Sequence, residues 1–259
     1  MPSVPAVPVS TRPSGGGSMK SSAMSSSTAV RSITTGALLI LATVAVLGAS
    51  AVDPTLTGAG YLSEVANHPH RLAAAALLYL VAAAASAGIA VALYPVVKTV
   101  HCGLALGAVV FRAIEATLYA TAVVALLSIV PLGQELATAQ ADEQGSIHAI
   151  ADSLLSARDH SNLAAIFAFS LGALMYYALF YRSQLVPRWL SGWGIAGVLV
   201  LISACLMALF SDSPITGYTL LVLPIAVQEL VLAVWLLLKG FRSFTDLPAH
   251  LLGGREDHR

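Results

Sequence analysis

Six long apolar stretches fill most of the 259-residue chain: Ser32–Val52, Leu72–Val97, Gly103–Val130, Asn162–Tyr181, Trp189–Phe210 and Thr216–Leu238. The shortest has 20 residues, and a helix needs about 20 to cross a hydrocarbon core. Charged residues make up only 10% of the chain and hydrophobic ones 57%, whereas a soluble domain of this size carries about 25% charged residues. What lies between the stretches is too short for a separate soluble domain. The expected fold class is all-α: a polytopic membrane protein, a six-transmembrane-helix bundle with a disordered N-terminal tail and short outer amphipathic helices. The domain reading is a cytoplasmic tail over residues 1–30, the transmembrane domain over 31–241 and a cytoplasmic C-terminal tail over 242–259.

Formal net charge is zero, so no basic surface points to nucleic acid, and the expected partner is the lipid bilayer. The placement of cations is more informative than their sum. Arg12, Lys20, Arg31, Lys98, Arg182, Arg188, Lys239, Arg242, Arg255 and Arg259 fall on one side of a six-span topology, and only Arg71 and Arg158 on the other. Cytoplasmic loops carry the excess of Lys and Arg, so both termini are expected in the cytoplasm, on the same side as six spans require. Trp189, Trp193, Trp235, Tyr94, Tyr177 and Tyr181 lie near the expected cytoplasmic ends of helices, where amphipathic rings favour the headgroup level.

Cys102 and Cys205 are expected at opposite depths, too far apart for a disulfide, and two thiols alone build no structural zinc site. Neither a cofactor nor a metal is expected. Arg31, the following apolar run and Ala49-Ser50-Ala51 resemble a secretory signal with a small-residue cleavage site. The run is longer than such signals use, and cleavage would leave five helices with mismatched termini, so an uncleaved first helix is expected. Met19 and Met24 are alternative starts.

Two inner loops, Lys98–Cys102 and Arg182–Arg188, are short enough to make antiparallel helical hairpins. The outer segments, 53–71 and 131–161, are longer. In the second, Ile147, Ile150, Ala151, Leu154 and Leu155 recur at helical spacing, which predicts a short amphipathic helix that lies on the membrane or continues into the fourth span. A smaller helix is predicted over Tyr61–Asn67, stopped by Pro69. Ala84, Gly88 and Ala92, Gly103 and Gly107, and Gly192 and Ala196 repeat at four-residue intervals, a spacing that lets backbones pack closely in lipid. Pro95 and Pro224 are positions for bends. No internal repeat supports an inverted-repeat transporter.

Against this background, Arg112 and Glu115 in the third stretch and Glu229, beside Gln228, in the sixth stand out. An ionisable residue at mid-bilayer costs about 2.5–3.5 kcal/mol on insertion scales. Three together would cost on the order of 8–10 kcal/mol, comparable to the stability of a whole domain. Such groups must be paired, hydrated or neutralised. Helical rise places Arg112 roughly 13 Å, Glu115 roughly 18 Å and Glu229 roughly 15 Å from the cytoplasmic helix ends, a shared level near the midplane. Arg112 and Glu115 are three apart on one face, and Tyr119 continues that stripe outward. The simplest arrangement has Arg112 bridging both acids, because its five fixed donors suit two carboxylates. One cation and two carboxylates leave a surplus negative charge, to be met by a proton or a further cation.

At the outer interface the candidates are Arg158, Asp159 and His160. Arg158 and Asp159 are expected to cap the fourth span as an ion pair, or else to line an outer vestibule. His68, His70 and His148 are expected in solvated loops, and Asn162 and Ser170 as interhelical hydrogen bonders.

The pieces Phe111-Arg112, Ala157-Arg158-Asp159-His160, Tyr181-Arg182-Ser183-Gln184-Leu185-Val186-Pro187-Arg188 and Gln228-Glu229-Leu230, followed by Trp235-Leu236-Leu237-Leu238-Lys239-Gly240, come in an order and spacing that resemble one family. It is a family of bacterial six-helix integral membrane proteins classed as a domain of unknown function. The resemblance runs from about Arg31 to Gly240 and implies a bacterial inner membrane. It brings no assigned activity. His160 stands where a tyrosine is more usual.

Neither H-E-x-x-H, G-x-S-x-G nor a phosphate loop occurs, and an enzyme is not expected. The leading reading is a membrane-embedded scaffold or regulatory component held by a midplane Arg/Glu cluster. The alternative is a small transporter or receptor that binds a proton, a cation or a small polar ligand at Glu115 and Glu229. The sequence assigns no protein partner and no oligomeric state.

Overall fold

The computed structural model describes residues 16–52, 56, 58, 60–211 and 215–242. Among these every regular element is helical: α1 (Gly16–Val52), α2 (Tyr61–Asn67), α3 (Pro69–Val97), α4 (Cys102–Leu127), α5 (Ile129–Leu136), α6 (Gln144–Ser183), α7 (Arg188–Phe210), a short 3-10 turn at Ile215–Tyr218, and α8 (Thr219–Leu238). Six segments are long and apolar enough to cross a membrane: Thr28–Val52, Pro69–Val97, Cys102–Leu136, Gln144–Ser183, Arg188–Phe210 and Thr219–Leu238. The protein is a multi-pass membrane protein with a six-helix bundle.

Successive spans run antiparallel and each packs on the next, α1 on α3, α3 on α4, α4 on α6, α6 on α7 and α7 on α8. Contact between α8 and α1 closes the ring. Lipid supplies no hydrophobic force between helices, so association rests on close packing and interhelical hydrogen bonds. Small residues make that approach possible. A Cβ added at Gly36 of α1 would stand 2.9 Å from the Ala233 carbonyl oxygen of α8, and one at Gly194 of α7 would stand 2.6 Å from the Tyr177 ring of α6. Gly88 and Gly107 also meet neighbours, Leu38 and Met175, but Gly192 faces open space. The contact face of α7 is carried instead by Gly194 and Gly197, about 200° and 140° round the helix from Gly192 at 3.6 residues per turn.

One end of the ring carries both inner hairpin turns and the segment after α8. Gln184 closes α6 with φ 56°, a left-handed capping conformation that turns the chain into α7. The Arg242 backbone N–H donates to the Leu185 carbonyl at 2.9 Å, and Phe241 packs on Phe180. Ser32 of α1 stands beside Gly240 at the same end, which we call the terminal end.

The opposite end decides between the two readings of the amphipathic segment. The amphipathic segment around Ile147–Leu155 is not a separate surface helix. It is the first part of α6, which runs 40 residues without a break, about 60 Å at 1.5 Å per residue. Neither Pro nor Gly occurs from Ser146 to Leu171, so nothing stops the helix there. The projecting part packs with α2 and α5 around Tyr61, Leu62, Val65, Ile129, Ile147 and Ala151, a second core above the first. The Tyr61 hydroxyl donates to Asp152 Oδ1 at 2.7 Å. Burial, with this carboxylate beside it, pushes the phenol pKa above its usual value.

Two further differences concern chain ends and aromatics. The helix α1 begins at Gly16, so the part of the expected tail from Gly16 to Val30 has helical backbone. Residues 1–15 and 243–259 lie outside the described residues, as do the tail readings that fall on them. Tyr177, expected at the headgroup level, is buried in the bundle, because its hydroxyl is engaged by Gln228.

Candidate functional site: an arginine-centred cluster inside the bundle

The antiparallel register of the hairpin from α3 to α4 sets Ser86 opposite Arg112 and Glu115, and Arg112 and Glu115 share a face of α4 by their three-residue spacing. Arg112 is 5% and Glu115 4% exposed. The Arg112 Nη1 group donates to Ser86 Oγ at 3.1 Å and to Glu115 Oε2 at 3.2 Å. Ser86 Oγ in turn donates to Glu115 Oε2 at 3.0 Å, closing a three-membered hydrogen-bonded ring. The other terminal nitrogen, Nη2, lies 3.6 Å from Glu229 Oε1 on α8, an ion-pair distance longer than a hydrogen bond. Phe169 of α6 lies 4.5 Å from the guanidinium carbon, close enough for its ring quadrupole to attract the cation.

All three ionisable side chains read as intramembrane from the sequence thus come to one place. Their surroundings differ. Glu115 receives two donors through one oxygen, whereas Glu229 has the longer contact and a side chain 16% exposed. Two carboxylates face one guanidinium, so the cluster is balanced only with a further positive charge or proton.

Gln228, although adjacent to Glu229, belongs to a separate tie. It accepts from the Tyr177 hydroxyl at 2.7 Å and donates through Nε2 to the Leu190 carbonyl at 3.1 Å, joining α6, α7 and α8. Neighbouring residues on a helix point about 100° apart, which separates the two networks. Tyr119 lies one turn beyond Glu115 toward the outer end. With Tyr79, Arg158 and Asn162 it lines a cavity of about 10 Å³. A second cavity, of about 20 Å³, adjoins the cluster on the terminal side and is lined by Thr35, Arg112, Tyr176, Tyr177 and Glu229 among others.

At the outer interface the capping reading is corrected. Arg158 and Asp159 lie well inside α6, whose first residue is Gln144, so they cap no helix start. Arg158 instead lines the smaller cavity. His160 is exposed, and its Nδ1 lies 2.7 Å from the Ser156 carbonyl oxygen, roughly 14 Å along the helix axis from Phe169. Ser170 also departs from expectation: its hydroxyl donates to Ile166 of its own helix at 2.8 Å. His68 lies 3.9 Å and Arg71 3.5 Å from Glu64, and His148 meets the Tyr61 ring edge-on. Among the described residues no three His, Cys, Asp or Glu side chains are grouped to hold a metal.

Sequence reasoning passed over Ser86, Phe169, Thr35 and Tyr176. Ser86 had a signal, since it is the sole hydroxyl of a Ser or Thr in the stretch Leu72–Val97. Phe169 had none, because one aromatic among many apolar residues marks nothing until the helices are paired.

Residues 34–240 match the family Domain of unknown function (DUF4386). The chain belongs to that family. The DUF4386 region takes in the cluster, both cavities and the ring from residue 34 of α1 to the end of α8, and its description carries no activity. No curated protein and no solved structure matches the chain.

Ser86 is the member whose removal changes the cluster without changing its formal charge. Losing one hydrogen bond to a buried charged group costs about 1–3 kcal/mol. Ser86→Ala should therefore lower the thermal midpoint of the detergent-solubilised protein. Ser170→Ala, which removes only a side-chain bond to a carbonyl of its own helix, should lower it less. Equal midpoints for the two variants would show that Ser86 does not hold the cluster.

Proposed function

We propose that this DUF4386 protein is a non-enzymatic component of the bacterial inner membrane, a scaffold or regulatory element whose helices are locked by the Arg112 clamp, with both termini in the cytoplasm. One observation carries the reading: a single guanidinium on α4 is touched by Ser86 of α3, Phe169 of α6 and Glu229 of α8, as well as by its own neighbour Glu115. Most of the cluster's polar capacity is turned on itself, which is what a packing device requires. The bilayer is the partner that this polarity implies, since Arg112 and Glu115 are almost wholly withdrawn from the surface.

The alternative, binding of a proton, a cation or a small polar ligand, is favoured by one feature, the looser hold on Glu229 and its place on the larger cavity. Orientation rests on charge. Arg31, Lys98, Arg182, Arg188, Lys239 and Arg242 belong to the terminal end, and such an excess of cations marks the cytoplasmic side.

Three outcomes follow. Arg112→Leu leaves two buried acids without their cation, a loss of about 3–5 kcal/mol. Most of the folded protein should disappear from detergent extracts, and adding Glu115→Gln with Glu229→Gln should restore part of it. An unchanged thermal midpoint in Arg112→Leu would end the clamp reading. For the alternative, Glu229→Gln should fold yet abolish a pH-dependent flux in proteoliposomes, and parent protein showing no flux of protons or solutes at any pH would remove it. For orientation, Cys102 is exposed at the terminal end and Cys205 is buried. A membrane-impermeant maleimide should label Cys102 in inverted vesicles but not in intact spheroplasts, and the reverse pattern would place the termini outside.

A further inference from the structure

Among the described residues, four buried side-chain polar atoms have no hydrogen-bond partner: Thr35 Oγ1, Arg112 Nε, Tyr176 Oη and Trp235 Nε1. The first three belong to residues that line one cavity, the one of about 20 Å³ beside the clamp. They come from three helices, α1, α4 and α6, and Glu229 of α8 completes the lining. Thr35 is 1%, Arg112 5% and Tyr176 3% exposed, so bulk solvent does not serve them. A buried polar atom left unpaired costs about 1–3 kcal/mol. Three around one space point to an occupant.

The size and chemistry of the space select that occupant. About 10–15 Å³ on this measure holds one water molecule, so the cavity holds one or two and nothing larger. Arg112 Nε can only donate, the two hydroxyls can donate or accept, and a carboxylate accepts. A water molecule satisfies all of them: it accepts from Arg112 Nε and one hydroxyl, and donates to Glu229. A bare metal cation would meet the guanidinium N–H at the same point and be repelled.

We propose that this cavity is a water-binding site, and that through it Glu229, rather than Glu115, takes up the proton that balances the cluster. The step is a plain relay: the site's water gives one proton to a Glu229 carboxylate oxygen as it takes one from the solvent side, so it stays neutral water and no cation rests beside Arg112. Glu115 is the poorer acceptor because Ser86 and Arg112 both donate to its Oε2, which favours its charged form, whereas Glu229 has only the 3.6 Å contact with Arg112 Nη2. A neutral Glu229 no longer attracts Arg112 as an ion, so the hold of α8 on α4 depends on the proton.

The groups around Glu229 leave it as the cluster's free proton acceptor. From α4 it faces Arg112 and Glu115, with Tyr119 one turn further out. Tyr176 and Tyr177 face it from α6, and phenols ordinarily stay protonated near neutral pH. From α1 it shares the cavity with the neutral hydroxyl of Thr35, and Ser86 of α3 is taken up by Arg112 and Glu115. The titratable groups of α7 are Arg188 and Cys205, near its two ends, and that of the 3-10 turn is Tyr218, at the far end of α8.

The proposal rests on the clamp and is tested apart from it. Infrared difference spectra of the full chain in lipid nanodiscs, taken between mildly acidic and mildly alkaline buffer, should show a protonated-carboxyl C=O band that appears on acidification. The band should persist in Glu115→Gln, vanish in Glu229→Gln and move its titration midpoint by about one pH unit in Thr35→Val/Tyr176→Phe, the effect of a lost hydrogen bond to a charged group. A band that vanishes with Glu115→Gln, or that ignores the Thr35/Tyr176 pair, overturns the proposal. Should Glu229→Gln not fold, the parent protein still decides the matter. Brief X-ray radiolysis in oxygen-18 water should label Tyr176 and Phe180, after correction for intrinsic reactivity, several-fold faster than Leu190 and Leu201, which are as buried but do not line the cavity. Equal labelling overturns the water site. Failure of these tests with a normal Arg112→Leu rescue leaves the clamp standing, whereas a stable Arg112→Leu protein removes the clamp whatever the spectra show.

Discussion

A guanidinium held inside hydrocarbon governs how this bundle is put together. Charge in a medium of low dielectric is tolerated only with partners at close range, and Arg112 finds them on α3, α4, α6 and α8. The apolar faces of the six spans could satisfy themselves against lipid almost as well as against one another. The arginine could not. Its demand for Ser86, Glu115, Phe169 and Glu229 selects the arrangement in which those four positions surround one point, and the close glycine contacts at Gly36 and Gly194 let the backbones come near enough to keep it.

The molecule has two cores with different chemistry. Around and below the cluster, toward the terminal end, large apolar side chains such as Phe180, Leu190, Leu201 and Leu236 pack the ring. Above it, the projecting part of α6 gathers α2 and α5 into a second core closed by the Tyr61–Asp152 hydrogen bond. The polar cluster lies between them with a small cavity on either side. This succession of hydroxyls, charges and cavities gives the centre of the bundle a polarity that its lipid-facing surface lacks.

The two acids of the cluster have unlike roles because of where their helices lie. Glu115 and Arg112 share α4, so their contact is built into one helix and survives any movement between helices. Glu229 reaches the arginine from α8, at a longer distance and beside the larger cavity. A tie between helices that includes a titratable group is one whose strength varies with protonation. A scaffold reading and a regulatory reading of a DUF4386 protein therefore meet in the same four or five residues, and Glu229 separates them.

Much of this architecture was legible in the chain itself. Span number and length follow from apolar runs, because the thickness of the bilayer is a fixed requirement and charge within it is costly. The same cost exposed Arg112, Glu115 and Glu229 as a set, and helical rise put them at one depth. Pairing between helices was not legible. Ser86 is one hydroxyl among alanines, and Gln228 looked like part of the cluster until the rotation of α8 turned it toward Tyr177. The continuity of α6 past Arg158 and Asp159 was left open, since an amphipathic stretch suits either a separate surface helix or the projecting part of a long one, and packing against α2 and α5 chose the long helix. Sequence alone determines what must be buried in the membrane and what must be neutralised there. Which side chains do the neutralising depends on helix rotation and register, set by contacts between residues far apart in the chain, and so only the tertiary structure decides it.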